Sequence, residues 1–181
     1  MKSKSGAMEM SVGTLVTIVL LMAVLILGIF LVQKIFSSGS NAIDSVNNEV
    51  QNQINQLFSQ EDKKIAVYPT SREITLKKGD TPKGFAFSVK NRDVEQAEFT
   101  YSVTASDVSK CGSTFSETKA NNYLLGGSGT FSLGPGNALD LARLVKFDIP
   151  DTAPPCTIIY NLEVKKAGVS YSGADIYVTI K

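Results

Sequence analysis

An uninterrupted apolar run near the N-terminus constrains this chain more than any other feature. Residues 12–32 read VGTLVTIVLLMAVLILGIFLV, 21 residues without a charged side chain. As a helix rising about 1.5 Å per residue, this run would extend roughly 31 Å, the thickness of a bilayer's hydrocarbon core. A soluble helix is rarely apolar on every face for this length, and the apolar core of a cleaved secretory signal is shorter, about 7–15 residues. We therefore predict a retained transmembrane helix over residues 12–34.

The charges on either side of this run predict its orientation. Lys2 and Lys4 precede it, whereas Lys34 is the only basic residue that follows it before Asp44 and Glu49. Because cytoplasmic flanks are enriched in Lys and Arg, residues 1–11 are predicted to be a short basic cytoplasmic leader. The expected localisation is a single-pass membrane protein with a cytoplasmic N-terminus and an extracytoplasmic C-terminal domain, so the lipid bilayer is its first expected partner.

The N-terminal sequence carries a resemblance to a known family. Residues 4–7 read KSGA, and VGTL opens the apolar run at residue 12. Over about residues 1–35 this pattern resembles archaeal type IV pilin-like precursors, including archaellins. In that family a prepilin-type peptidase cuts between a basic leader and the apolar helix, which implies cleavage between Gly6 and Ala7. Ser5 stands where the family has a basic residue, and Glu9 would be the third mature residue, not the fifth as in bacterial pilins. An uncleaved signal anchor is the alternative.

Residues 35–60 are predicted to form an amphipathic stalk helix. Its apolar side chains recur mostly three or four residues apart and so share one narrow face. This packing stripe consists of Phe36, Ile43, Val46, Val50, Ile54 and Leu57. Part of the stripe also repeats every seven residues, as in a coiled-coil seam. Because one helix cannot bury such a stripe alone, two arrangements stay open: packing on the chain's own domain or the membrane surface, or packing on other copies.

Residues 61–181 change to an alternating pattern that predicts seven or eight short strands between Gly, Pro and Asp turns. The predicted strands cover residues 65–68, 72–77, 85–89, 99–106, 139–149, 158–164, 169–171 and 176–180. The GGSG segment at 126–129 is interpreted as a flexible turn. Residues 74–91 resemble strands of bacterial and archaeal Ig-like surface modules, with I-x-L-x-x-G followed by F-x-F-x-V-x-N. The predicted fold is mainly β: a transmembrane helix and a stalk helix followed by an Ig-like antiparallel β-sandwich.

The two cysteines, Cys111 and Cys156, lie in the part of the chain predicted to be outside the cytoplasm. An even number of cysteines in an oxidising compartment indicates a disulfide. Two unpaired, partly buried thiols are the alternative. In the chain-entropy model, closing a loop of this length stabilises the fold by roughly 4 kcal/mol.

Composition excludes several classes of function. The chain contains no histidine, so it has no Ser-His-Asp or Cys-His arrangement and no common zinc site. A net charge of +1 without a basic cluster gives no support for nucleic-acid binding. Asp93, Glu95 and Glu98 could ligate Ca²⁺, but a solvated loop is the simpler interpretation. We expect no catalytic residue, no cofactor, no metal and no small-molecule substrate.

Three functions follow as hypotheses. The first is a non-enzymatic, membrane-anchored surface protein that presents the β-sandwich for structural or adhesive contacts. The second is a subunit or minor component of a type IV pilus-like or archaellum-like filament, in which the helices would bundle as a core. An envelope enzyme is the third and has the least support. In the first two, the expected partners are other copies of the chain or other envelope or filament proteins, bound through the helix.

Overall fold

A computed structural model describes residues 12–37, 43, 45–60 and 63–181 of this chain. The chain divides into two compact units, residues 1–39 and 40–181. The described part of the first unit is one helix, α1, at Val12–Ser37, which is 26 residues long. The predicted leader, including Gly6 and Ala7, lies outside the described residues.

The described part of the second unit contains two further α-helices and nine strands arranged in two sheets. The helices are α2 (Asn48–Gln60) and α3 (Glu117–Asn121), and a 3-10 helix covers Ser109–Cys111. The strands are β1 (Ile65–Tyr68), β2 (Glu73–Leu76), β3 (Lys83–Val89), β4 (Ala97–Asp107), β5 (Leu124–Leu125), β6 (Ser128–Leu133), β7 (Arg143–Phe147), β8 (Thr157–Lys166) and β9 (Val169–Ile180). One sheet has the order β1-β3-β7-β5 and the other β2-β9-β8-β4-β6.

The two sheets enclose a hydrophobic core because their facing sides carry apolar residues, which alternate with outward residues along each strand. In β1 and β3 the outward residues are buried as well. In β8 the buried positions are every second residue. Rings from both sheets meet in this core: Phe147 of one sheet lies 4.8 Å from Tyr160 of the other, and Phe87 lies 4.9 Å from Tyr101 between ring centroids. The predicted mainly β, two-sheet architecture is therefore confirmed.

Helix α2 packs on the outer face of the β1-β3-β7-β5 sheet. Val50 and Ile54 are buried there against Ala66 and Ala86 of the sheet and against Ala142 beside it. Small side chains on the sheet let a helix approach closely. The Gln51 side chain accepts a hydrogen bond from the Ala142 N–H at 2.8 Å.

Polar contacts also fix the N-terminal end of α2. The Asn47 side chain accepts a hydrogen bond from the Val50 N–H at 2.9 Å, which satisfies a donor in the first turn. Before the helix, Ile43 and Gly84 exchange backbone hydrogen bonds of 2.9 and 2.7 Å. The chain thus enters the sandwich at the Gly84 end of β3. A Cβ at Gly84 would overlap the Val145 carbonyl, so only glycine fits there.

Several predicted boundaries differ from the structure. Phe36 falls within α1, which ends at Ser37, and not in the stalk helix, which begins only at Asn48. Of the predicted strand 139–149, only Arg143–Phe147 is a strand. The predicted turn at 126–129 is wrong in its second half, because Ser128 and Gly129 begin β6 and pair with β4. The sandwich is also not wholly antiparallel, since β2 pairs with β9 in parallel.

Candidate interaction surfaces

Helix α1 exposes apolar side chains on every face. Twelve of them are between 43% and 67% exposed: Leu15, Val16, Ile18, Val19, Leu20, Leu21, Met22, Val24, Leu25, Ile26, Leu27 and Ile29. Because these residues are nearly consecutive, they surround the helix and do not form a single stripe. Contiguous apolar patches larger than a few hundred Å² are uncommon on the surfaces of monomeric soluble proteins. Within the residues that the structure describes, no helix reaches the length and apolarity that crossing a membrane requires.

Five of the six packing-stripe residues lie at the contact between α2 and the sheet, and the sixth lies in α1. Val50 and Ile54 are buried under α2, and Ile43, Val46 and Leu57 are partly buried around them, so five of the six predicted residues come together. The sixth, Phe36, belongs to α1, and its side chain lies outside the described residues. Of the two arrangements that the sequence left open, the described residues show α2 on its own domain.

Cys111 and Cys156 form the predicted disulfide, with a Cα–Cα distance of 5.0 Å across 45 residues. Cys111 ends the 3-10 helix after β4, and Cys156 directly precedes β8. The bond therefore joins the long β4–β5 connection to the start of a central strand. Its place in the fold is structural, since both cysteines are buried in the core cluster.

Asp93, one of the three acidic residues considered as Ca²⁺ ligands, has another partner. Asp93 forms an ion pair with Lys166 of β8, and this hydrogen bond and positive charge lower the pKa of the Asp93 carboxyl. The main chain of Glu95 accepts a hydrogen bond from the Asn91 amide at 2.7 Å. Among the described residues, no group of three or more acidic, Cys or His side chains is placed to hold a metal ion.

Two polar side chains in the interior connect loops or short helices to the sheets. The Asn91 side chain is fully buried and donates to the carbonyls of Glu95, Leu133 and Gly134. Burial raises the pKa of the Tyr160 hydroxyl, which donates a 2.8 Å hydrogen bond to the Ala120 carbonyl. Both side chains tie a loop or a short helix to a sheet, which is a structural use of a polar group.

Strand β6 forms a free sheet edge beside an open groove. It is the last strand of its sheet, and among the described residues nothing pairs with its outer side. Its sequence, SGTFSL, has no charge and no proline. The groove beside it has a volume of about 540 Å³ and is lined by residues of β6 and of the 134–143 segment, including Phe131, Leu141 and Arg143.

Sequence reasoning missed this edge because the glycines at 126–129 were interpreted as a turn. The signal was present: Ser128, Thr130 and Ser132 alternate with Gly129, Phe131 and Leu133, which is the period of a strand. The ring of Tyr101 packs against Gly129, and a Cβ atom at position 129 would lie 2.8 Å from that ring. The glycine therefore makes room for an aromatic neighbour.

The chain was compared with known proteins. No family model matches it, and neither does any curated protein. Some solved structures are similar to part of this chain. The periplasmic chaperone SfaE is 10% identical with a TM-score of 0.40, and the match covers 65% of this chain and 56% of that one.

Two further structures match to a similar degree. A family 123 glycoside hydrolase from Clostridium perfringens is 14% identical with a TM-score of 0.41, over 59% of this chain and 23% of the enzyme. The PapD-like domain 7 of human CEP192 is 10% identical with a TM-score of 0.36, over 65% of this chain and 84% of that domain.

Proposed function

We propose that this chain is a non-enzymatic, single-pass membrane protein that presents its Ig-like β-sandwich outside the cytoplasm for structural or adhesive contacts. The observation that carries the proposal is the surface of α1. A helix with exposed apolar side chains on all faces, in a segment without a charged residue from 12 to 32, is stable only when lipid or other apolar helices surround it.

The second unit supports the same proposal. Its own apolar surfaces are largely covered, because the core lies between the sheets and α2 covers the outer face of one of them. The apolar surface that needs a partner is therefore concentrated in α1. The disulfide is consistent with an oxidising compartment on the far side of the membrane, and Lys2 and Lys4 favour a cytoplasmic N-terminus.

Flotation of the full chain with native membranes tests the anchor. The protein is expected to float with the membranes and to stay in them after a wash with alkaline carbonate, which removes peripheral proteins. A variant with Leu20→Asp and Leu21→Asp places two charges in the centre of the apolar run and is expected to lose flotation. Its matched control, Leu20→Ile with Leu21→Ile, is expected to float like the natural chain. Recovery of the natural chain in the soluble fraction would overturn the proposal.

A filament subunit is the second candidate, favoured by the resemblance of residues 4–15 to pilin-like precursors. It requires that the leader be removed, because charges at Lys2 and Lys4 would otherwise hold the chain at the inner face of the membrane. Intact mass of the protein from native membranes decides the question. A chain that begins at Ala7 supports filament assembly, and a chain that retains Lys2 and Lys4 supports a permanent anchor.

A further inference from the structure

The free edge of β6 has a defined set of unpaired backbone groups. Val103 N–H donates to the Gly127 carbonyl at 2.7 Å, and these two residues lie opposite each other in the β4–β6 register. Because hydrogen-bonded and non-hydrogen-bonded pairs alternate in an antiparallel ladder, Gly129 and Phe131 bond to β4. Ser128, Thr130 and Ser132 therefore point their N–H and C=O groups away from the sheet.

This edge lacks the features by which proteins block strand addition. Edge strands are commonly short, charged, bulged or interrupted by proline. The other three edge strands are β1, β2 and β5, with four, four and two residues. Strand β9 also extends past β2 at residues 169–176, but this stretch contains Asp175 and a register irregularity opposite Val164 and Lys165. Strand β6 has six residues, all uncharged, in a regular register with β4. It is thus the edge of the described sandwich that is best suited to pair with another strand.

We propose that β6 pairs with β6 of a second copy of this chain, antiparallel and centred on Thr130. In this register Thr130 lies opposite Thr130 of the other copy, and Ser128 lies opposite Ser132. All three outward-facing residues of each strand then form hydrogen-bonded pairs, and each pair exchanges two backbone bonds. A register shifted in either direction would leave at least one of these residues unpaired.

The side chains of the edge are compatible with this pairing. On the outer face, hydroxyl meets hydroxyl, and cross-strand Ser and Thr pairs stabilise a sheet. On the inner face, Phe131 lies opposite Gly129 of the other copy, where the ring of Tyr101 already covers the glycine. Phe131 is stacked on Phe99 at 5.7 Å between ring centroids, so the pairing would continue an existing row of aromatic rings.

Charge permits a second copy as the occupant of the edge. The groove beside β6 is lined by one acid, Asp140, and one base, Arg143. Both are exposed, and neither forms an ion pair among the described residues. With one acid and one base the lining of the groove carries no net charge, so a second copy that brings the same lining meets no net repulsion there. The edge itself brings no like charges together.

The pairing also has a consequence for adhesion, which rests on the proposed membrane anchor. A two-fold axis perpendicular to the sheet reverses the strand direction. The ends of the sandwich at which the two chains enter, marked by Ile43 and Gly84, then face opposite ways. We extend the proposal to copies anchored in facing membranes, which such a contact would join. A six-residue edge buries less area than a standard interface of about 1,600 Å², so the contact is weak singly and gains strength from many copies.

Charge substitution at the two-fold axis tests the pairing in the full chain reconstituted into lipid vesicles. Thr130→Lys or Thr130→Glu brings like charges face to face and is expected to lower vesicle clustering roughly tenfold or more. Mixing vesicles that carry Thr130→Lys with vesicles that carry Thr130→Glu is expected to restore clustering. The same changes at Thr104, an exposed residue on the outer face of β4 beyond the reach of β6, are expected to leave it unchanged.

A crosslinking measurement gives an independent readout. Both natural cysteines are in the disulfide, so Thr130→Cys supplies the only thiol. A short bismaleimide is expected to produce a dimer of the full chain from Thr130→Cys and none from Thr104→Cys. Vesicles that carry the protein but neither cluster nor crosslink would overturn the pairing and leave the anchor intact. Protein that fails to float with the vesicles would instead overturn the anchor. A crosslink from position 130 to a different polypeptide only would also refute the second copy as the occupant.

Discussion

Replacing Ile54 by alanine tests whether α2 belongs to the β domain or to an assembly of helices. The Ile54 side chain is fully buried between α2 and the sheet. The substitution removes three carbon atoms, at about 0.8 kcal/mol of transfer free energy each, or roughly 2.4 kcal/mol in all. A cavity adds about 24 cal/mol for each Å³ that the surroundings fail to fill.

The cavity should persist, because the facing residues Ala66 and Ala86 are short and lie in paired strands. We therefore expect Ile54→Ala to lower the free energy of unfolding by about 3 kcal/mol, within the range of 2–5 kcal/mol typical of such changes. Urea denaturation of the full chain in mild detergent, followed by far-UV circular dichroism, measures the change. Gln56→Ala is the matched control on the exposed face of α2 and should stay within about 0.5 kcal/mol of the natural chain.

Two results would refute the reasoning. A loss below about 0.5 kcal/mol for Ile54→Ala would mean that the side chain does not pack against the sheet. A loss that depends on protein concentration would mean that the stripe packs on other copies, as a coiled coil does. A loss of the expected size, independent of concentration, supports α2 as part of the sandwich unit.

Three further predictions concern the second unit. Replacing both Cys111 and Cys156 by serine should lower the free energy of unfolding by about 4 kcal/mol, because the bond closes a loop of 45 residues. Urea denaturation with and without reductant measures this loss, and a change in the stability of the serine variant on adding reductant would contradict the explanation. Ser88→Ala should raise the free energy of unfolding by about 1 kcal/mol, because the buried Ser88 hydroxyl has no hydrogen-bond partner among the described residues. A lower free energy of unfolding in the same assay would mean that a water molecule or another group forms a hydrogen bond with this hydroxyl. Asp93 has a lowered pKa in the folded state, caused first by the hydrogen bond from Lys166, so its stabilising contribution is present above the unfolded pKa and disappears as the pH falls through the folded value. Asp93→Asn should therefore be less stable than the natural chain at pH 6 but not at pH 2, and an equal difference at both values would refute the ion pair.

The sequence predicted those features that depend on local pattern. The alternation of Phe85, Phe87 and Val89 and that of Ile158 to Val164 identified two central strands correctly, because one face of each strand must be buried. The apolar period at Val50, Ile54 and Leu57 likewise identified a helix and its packing face, although Ile43 and Val46, predicted in the same helix, precede it. Two cysteines were enough to predict the disulfide, since no other pairing within the chain is possible.

The features that sequence reasoning missed depend on contacts between distant residues. The apolar stripe of α2 does not show which surface it packs on. The small residues Gly84, Ala86 and Ser88 on one face of β3 were a sign that a helix packs on that face. Strand β6 was hidden by Gly129, which is required by the ring of Tyr101 from another strand. Leu139 and Leu141 share the parity of β7, but they lie in the turn before it, where Leu139 is buried and Leu141 is 72% exposed.

Labelling of a single introduced thiol in intact cells tests the central claim most directly. Thr104→Cys places a thiol on the exposed outer face of β4, and the natural cysteines are already paired. If the chain is anchored with its sandwich outside the cytoplasm, a membrane-impermeant maleimide should label this thiol fully in intact cells, and permeabilisation should add nothing. Labelling only after the membrane is permeabilised would contradict the account, because the sandwich would then lie on the cytoplasmic side.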